Sequence, residues 1–194
     1  MINIALKLVF LKDKHMENTI NIDLLKDKQL MRKVNLSSFV FSIIALVVMV
    51  YCVHTSQVSY KAYFYCFVVY VLALPIHELI HGYFFKRYAS DSVKIKYGFK
   101  SGFFYASNPG YIYKPNQFVN ILMAPCVILN FVLLLLAILT SYKVVFLVAT
   151  VLHLGSCMGD ISMVLSILST QKQYVVEGIR DTDSGIDILV GKKF

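Results

Sequence analysis

Two histidines and a glutamate lie near the end of a long apolar stretch, in the sequence ALPIHELIHGYFFKRY (residues 73–88). His77 and His81 are one helical turn apart, so on a helix their imidazoles project from the same face. Two neutral imidazoles at that spacing can bind one zinc ion, and Glu78 can take a proton from a water molecule that the metal activates. This His-Glu-x-x-His pattern predicts zinc-dependent hydrolysis, with one zinc per chain and Glu78 as the catalytic base.

The surroundings of these residues strengthen the prediction. The chain has eleven acidic residues, yet only Glu78 and Asp160 lie inside its long apolar blocks, and no lysine or arginine does. Ionisable side chains inside a membrane are costly, and those that occur there usually have a function. The alternative is that both histidines reach the headgroup region and that Glu78 is hydrated beside them.

Asp160, in the sequence HLGSCMGDISM, is the leading candidate for the third ligand that a catalytic zinc site needs. His77 and Asp160 each lie about 15 residues into apolar blocks that run in the same direction, about 23 Å along them at 1.5 Å per residue. Small residues precede Asp160 and permit close helix packing. His153 is either an alternative ligand or a histidine that supports the site without binding the metal, and a Cys157 thiolate is a weaker candidate.

Asn130 is the amide deep in the third apolar block. It can hydrogen-bond a substrate backbone or a developing oxyanion, or it can join two helices. Pro75 and Pro125 each remove a helical hydrogen bond, and each is either a tolerated kink or a place where the backbone opens onto a cavity.

The elements that must position these residues are membrane helices. The 194-residue chain is 58% hydrophobic and 15% charged, with a mean hydropathy of +0.66, whereas a soluble domain is about half apolar and a quarter charged. A helix of about 20 apolar residues crosses a bilayer. The sequence predicts four such spans, over about 35–54, 62–85, 118–142 and 144–169.

Basic residues predict the orientation of these spans. Lysines and arginines are frequent before the first span and between the second and third, and scarce in the two remaining connections. The positive-inside rule then predicts a multi-pass protein of the cell membrane with both termini in the cytoplasm. The net charge of +8 mainly reflects this topology, and no nucleic-acid partner is predicted because no recognisable basic module is present.

The predicted fold class is an all-α membrane protein with four transmembrane helices and a small cytoplasmic β-hairpin-like loop between helices 2 and 3. The hairpin is either a strand edge that captures a substrate or a solvated connection. Residues 1–34 form a cytoplasmic segment whose short apolar run, IALKLVFL, lies on the membrane surface or on the core. Residues 170–194 form a polar, partly disordered cytoplasmic tail. The four cysteines are expected to be buried and unpaired.

The motifs together resemble site-2-protease-type intramembrane zinc metalloproteases, and more narrowly the small families described as zincin peptidases. The resemblance rests on HELIH (77–81), on APCVILN ending at Asn130 and on GSCMGD ending at Asp160, and it covers roughly residues 64–169. It implies zinc bound by His77, His81 and Asp160. Asn130 matches a family asparagine, although Ala124 stands where glycine is common, and MGDIS differs from the usual aspartate segment.

The sequence thus predicts a membrane-embedded zinc endopeptidase whose partners are a membrane-protein or peptide substrate and the bilayer. The alternative is a membrane protein that binds metal without hydrolysis, for structure, sensing or metal handling.

Overall fold

The computed structural model of the chain describes residues 18–23, 27–55, 59–89, 93–100, 103–182 and 185–191. Within these ranges the helices are α1 (Lys28–Thr55), α2 (Lys61–Tyr88), α3 (Pro115–Leu139), α4 (Lys143–Ser156) and α5 (Met158–Gln173). The strands in the same ranges are β1 (Asn18–Asp23), β2 (Lys96–Lys100), β3 (Phe103–Ser107), β4 (Ile112–Tyr113), β5 (Val175–Thr182) and β6 (Gly185–Gly191). The apolar run IALKLVFL, predicted to lie on the membrane surface or on the core, is outside the described residues.

Among the described residues, three helices, α1, α2 and α3, are long and apolar enough to cross a membrane. Each exposes large apolar side chains, such as Phe39, Phe64 and Phe131. Lipid tails are as apolar as these side chains, so a membrane helix gains little by hiding them. The prediction of a membrane protein with long apolar helices is confirmed for these three.

The fourth predicted span is not one straight helix. The chain forms α4 and α5, which bend by 45° at Cys157, and the pair counts as a fourth span only if it is taken as one broken helix. Four complete spans and their orientation therefore remain a prediction.

Close contact with α1 accompanies this break. Ser38 donates a hydrogen bond to the Gly155 carbonyl at 2.7 Å, and a Cβ on Gly155 would lie 3.0 Å from the Cβ of Phe41. Glycine thus lets the two helices approach, and a side chain satisfies a carbonyl near the end of α4. Because α5 begins just after the break, Asp160 lies in its first turn.

A two-stranded hairpin lies between α2 and α3, as the sequence predicted. β2 and β3 pair antiparallel, from Lys96 opposite Ser107 to Lys100 opposite Phe103. The Tyr97 hydroxyl occupies the space that a Cβ on Gly82 would need, so this glycine lets the hairpin lie close against α2. The hairpin therefore lies beside the turn of α2 that carries His81.

The C-terminal segment forms a sheet that the sequence analysis missed. The four strands pair antiparallel in the order β1-β6-β5-β4. Ile179, Ile186 and Ile188 are buried in one core with Phe118 of α3 and Ile167 of α5. The prediction of a partly disordered tail is wrong for β5 and β6, and "all-α" describes only the helical part. Alternating apolar residues bury one face of the sheet against the helices, which stabilises these strands.

A buried polar chain connects this sheet to the end of α2. An Asp181 carboxylate oxygen accepts the Asn108 backbone N–H at 2.6 Å, and the Asn108 side chain donates to the Tyr113 hydroxyl at 2.5 Å. Tyr113 donates in turn to the Phe85 carbonyl at 3.3 Å. Burial raises the pKa of the Tyr113 hydroxyl to about 12, so it remains a donor at neutral pH. The helix that carries the histidines is thus tied to the sheet.

Replacing Gly185 by alanine should weaken the sheet. A Cβ there would collide with the Ile22 carbonyl oxygen and would lie 2.9 Å from the Asp23 Cα, and neither backbone atom can move without disturbing the β1–β6 pairing. We expect Gly185→Ala to lower the free energy of unfolding by about 1–3 kcal/mol, measured by thermal unfolding in detergent. Val175→Ala, at an exposed position of β5, is the control and should change little. Equal melting temperatures for the two variants would contradict the close strand contact.

Candidate metal centre

Three side chains from α2 and α5 converge at one point. The Nε2 atoms of His77 and His81 lie 3.0 Å apart on one face of α2. Asp160 places one carboxylate oxygen 3.1 Å from His77 Nε2 and the other 3.5 Å from His81 Nε2. Both histidines are buried, and Asp160 is mostly buried. The structure thus brings together the three residues that the sequence analysis named as ligands.

The donor set fits a zinc ion. His81 Nδ1 lies 2.9 Å from the Ile121 carbonyl, which can only accept a hydrogen bond, so the ring proton is on Nδ1 and Nε2 presents a lone pair. That lone pair faces His77 Nε2 and the Asp160 carboxylate, whose oxygens are also electron-rich. These electron-rich atoms repel one another unless a cation lies between them. Two imidazole nitrogens and one carboxylate form a known catalytic zinc ligand set.

Glu78 lies next to this group and not within it. The backbone N–H of Ala106, in β3, lies close to its carboxylate. Glu78 is less buried than the histidines on either side of it. The hairpin therefore holds the glutamate at the edge of the centre, where it can contact water.

His153 and Asn130 lie behind His77. His153 is fully buried, with Nε2 3.0 Å from His77 Nδ1 and Nδ1 3.0 Å from the Asn130 side-chain oxygen. The Asn130 Nδ2 donates to the Cys126 carbonyl at 2.6 Å. Both ends of the Asn130 amide are thus engaged inside the protein.

A second group of possible ligands shares His77. His77, His153 and Cys157 offer ligand atoms that lie within 4.8 Å of one another, as do those of the first group. The Cys157 Sγ is 3.8 Å from His153 Nε2. All three residues are buried, whereas a catalytic metal needs a position open to water. The first group, which reaches the edge of the fold at Asp160, meets that need better.

The cysteines otherwise follow the expectation from the sequence. All four are free, three of them buried and Cys52 half-buried.

The chain belongs to the family described as "Putative zincin peptidase", whose model matches residues 70–175, more than half of its length. The matched segment contains both histidines and the glutamate of the motif, and it extends beyond Asp160. Membership points to a metallopeptidase, with zinc as the implied metal. No curated protein and no solved structure matches the chain.

Two partners of the site residues were not foreseen. The Ala106 N–H near Glu78 and the Ile121 carbonyl that accepts from His81 are backbone groups, and neither has a side-chain signature. Only the tertiary structure places them beside α2.

Removing Asp160 should distinguish the two ligand groups. We expect Asp160→Ala to lower zinc affinity on the order of 100-fold or more, because losing a ligand costs at least as much as losing its supporting partner. Cys157→Ser should leave the affinity unchanged. Competition with a chromophoric chelator in detergent measures both, and the reverse pattern would assign the metal to the Cys157 group.

Proposed function

We propose that this protein is a membrane-embedded zinc metalloendopeptidase that hydrolyses peptide bonds within or next to the membrane. One observation carries the proposal: His77, His81 and Asp160 converge, with Glu78 beside them. The histidines lie on α2, which is apolar enough to span a membrane, and Asp160 lies on α5, which passes the same test together with α4. Membership of a zincin peptidase family agrees with it. We further propose the site-2-protease type, because the motifs at residues 77–81, 124–130 and 155–160 resemble those of that type in sequence.

The two histidines and Asp160 would hold the zinc. Bound there, it supplies Lewis acidity that activates water and polarises the scissile carbonyl. Glu78 accepts a proton from the attacking water as the new carbon–oxygen bond forms. It then delivers that proton to the amine nitrogen as the carbon–nitrogen bond breaks.

The substrate must be extended at the bond to be cut, because a helix engages its own amides in hydrogen bonds. β3 supports such a geometry because its Ala106 N–H faces Glu78. A peptide that pairs with this edge by strand addition would lie beside the catalytic glutamate. This favours a locally unwound membrane protein, or a peptide near the membrane surface, as substrate.

The proposed location is the cell membrane, with both termini and the hairpin in the cytoplasm. Support comes from the basic residues of the segment before α1 and of the α2–α3 connection. His77 and Asp160 lie in the later parts of segments that run towards that side, so water reaches the centre from the cytoplasm.

Replacing Glu78 by glutamine tests the reaction. We expect Glu78→Gln to keep one zinc per chain and to lower cleavage about 10²–10⁴-fold, since a general base contributes that much. Proteomic comparison of membrane fractions from cells that produce the wild type or the variant identifies substrates, which are then tested with purified protein. Glu177→Gln, at an exposed glutamate of β5, is the matched control.

Retained zinc with no difference between the peptide sets of wild-type and Glu78→Gln cells would contradict hydrolysis. It would favour the metal-binding role without catalysis.

A further inference from the structure

Two features of α3 are explained neither by the ligand set nor by the catalytic glutamate. Pro125 lies in the helix interior and is fully buried, and Asn130, five residues further along, is a buried amide. An interior proline disrupts a helix, and a buried amide needs partners. Asn130 bonds His153 of α4, which in turn lies 3.0 Å from His77 of α2.

Pro125 has a consequence four residues earlier in the chain. A proline has no N–H, so it cannot donate the helical hydrogen bond to the carbonyl of Ile121. That carbonyl accepts instead from His81 Nδ1, at 2.9 Å. Pro125 thus keeps a buried acceptor available, and the acceptor holds the His81 proton on Nδ1 and turns Nε2 towards Asp160.

Asn130 begins a second chain of bonds, and each bond determines the next. Because Nδ2 donates to the Cys126 carbonyl at 2.6 Å, the oxygen of Asn130 faces His153 Nδ1, which must donate to it. His153 Nε2 is then an acceptor, and His77 Nδ1, 3.0 Å away, must donate. His77 Nε2 is left with a lone pair directed at Asp160.

We propose that α3 is the positioning element of the metal centre, and that it sets the tautomer and orientation of both histidine ligands through two of its backbone carbonyls. Pro125 acts on His81 through the Ile121 carbonyl. Asn130 and His153 act on His77 and lead to the Cys126 carbonyl. All three are positioning residues, because they act through the ligands and do not contact the metal.

Asn130 then orients a ligand and does not stabilise an oxyanion. An asparagine that stabilises an oxyanion must direct an N–H at the substrate, whereas Asn130 directs its side chain at His153 and Cys126. Burial makes the arrangement effective: His153 and Ile121 have no exposed surface, so water cannot replace a lost partner. The inference rests on the proposed function only in taking both histidines as metal ligands, and it does not require hydrolysis.

Pro125→Ala provides the sharpest test. The new N–H at position 125 would bond the Ile121 carbonyl and compete with His81. We expect zinc affinity to fall about 10–100-fold, the usual effect of losing a ligand's supporting partner, while the melting temperature of the metal-free protein stays equal or rises. Pro125→Val, which refills most of the ring's volume, should show the same loss of affinity. Unchanged affinity in both variants would overturn the role of Pro125.

The second chain is tested by Asn130→Ala and His153→Phe. Each should weaken zinc binding about 10–100-fold. The double variant should lose no more zinc affinity than the single variant that loses more, because both residues belong to one chain of bonds. His153→Gln, whose amide can accept from His77 and donate to Asn130, should restore part of the affinity. Tyr70→Phe is the control, because it removes a different bond between α2 and α4, to Ser156, and should leave affinity unchanged.

Two further measurements separate positioning from the alternatives. If Asn130 positions His77, Asn130→Ala regains cleavage at saturating zinc, whereas normal affinity with persistently low cleavage would assign it to the oxyanion and overturn the inference. In the Co²⁺-substituted protein, the visible spectrum should change in His153→Phe. A thiolate-to-cobalt charge-transfer band that Cys157→Ser removes would show that His153 and Cys157 face the metal, and would also overturn it.

The affinity and spectral measurements need no cleavage. Unchanged zinc affinity and an unchanged cobalt spectrum in these variants would not contradict the proposed peptidase reaction. Conversely, an active Glu78→Gln variant would not contradict the positioning of the histidines.

Discussion

The close approach of His77, His81 and Asp160 organises the structure. Three electron-rich groups within about 3 to 3.5 Å of one another, in apolar surroundings, attract a cation strongly and repel one another without it. The fold resists that repulsion by tying both imidazoles from behind and by anchoring α2 through the Tyr113 bond to its C-terminal turn. A metal centre explains why such costly groups are retained in an apolar segment.

The backbone departs from regular helix where it meets this centre. α3 has an interior proline, and the Ile121 carbonyl that this proline leaves without a helical donor accepts from His81. The segment after α3 breaks at Cys157, just before Asp160. Irregular backbone inside a membrane is tolerated where it is buried in protein or lines a cavity. Here both irregularities serve the same site: one provides an acceptor for a ligand, and the other puts Asp160 at the start of a helix, where its charge is favoured.

Much of the helical part could be predicted because lipid imposes a simple rule on composition. Long apolar runs become helices, and α1, α2 and α3 follow that rule closely. The terminal sheet was missed because β1 and β5 carry many polar residues, and the isoleucines of the sheet gain partners only when β1 and β6 meet across most of the chain. Similarly, the sequence identified Asn130 and His153 as polar residues in apolar blocks but could not show which atoms they face.

The residue types and their spacing indicate the chemistry: which side chains can bind a cation, which one can accept a proton, and that apolar segments carry them. Helical periodicity was enough for the pair His77 and His81, because one turn places both on one face. The tertiary structure decided everything that depends on partners from other elements. Tertiary packing brings Asp160 to His77, which is 83 residues away in the chain. It also places the backbone carbonyls of α3 that orient the two imidazole rings. A carbonyl is the same in every residue, so only the packing of helices can determine which one a histidine meets.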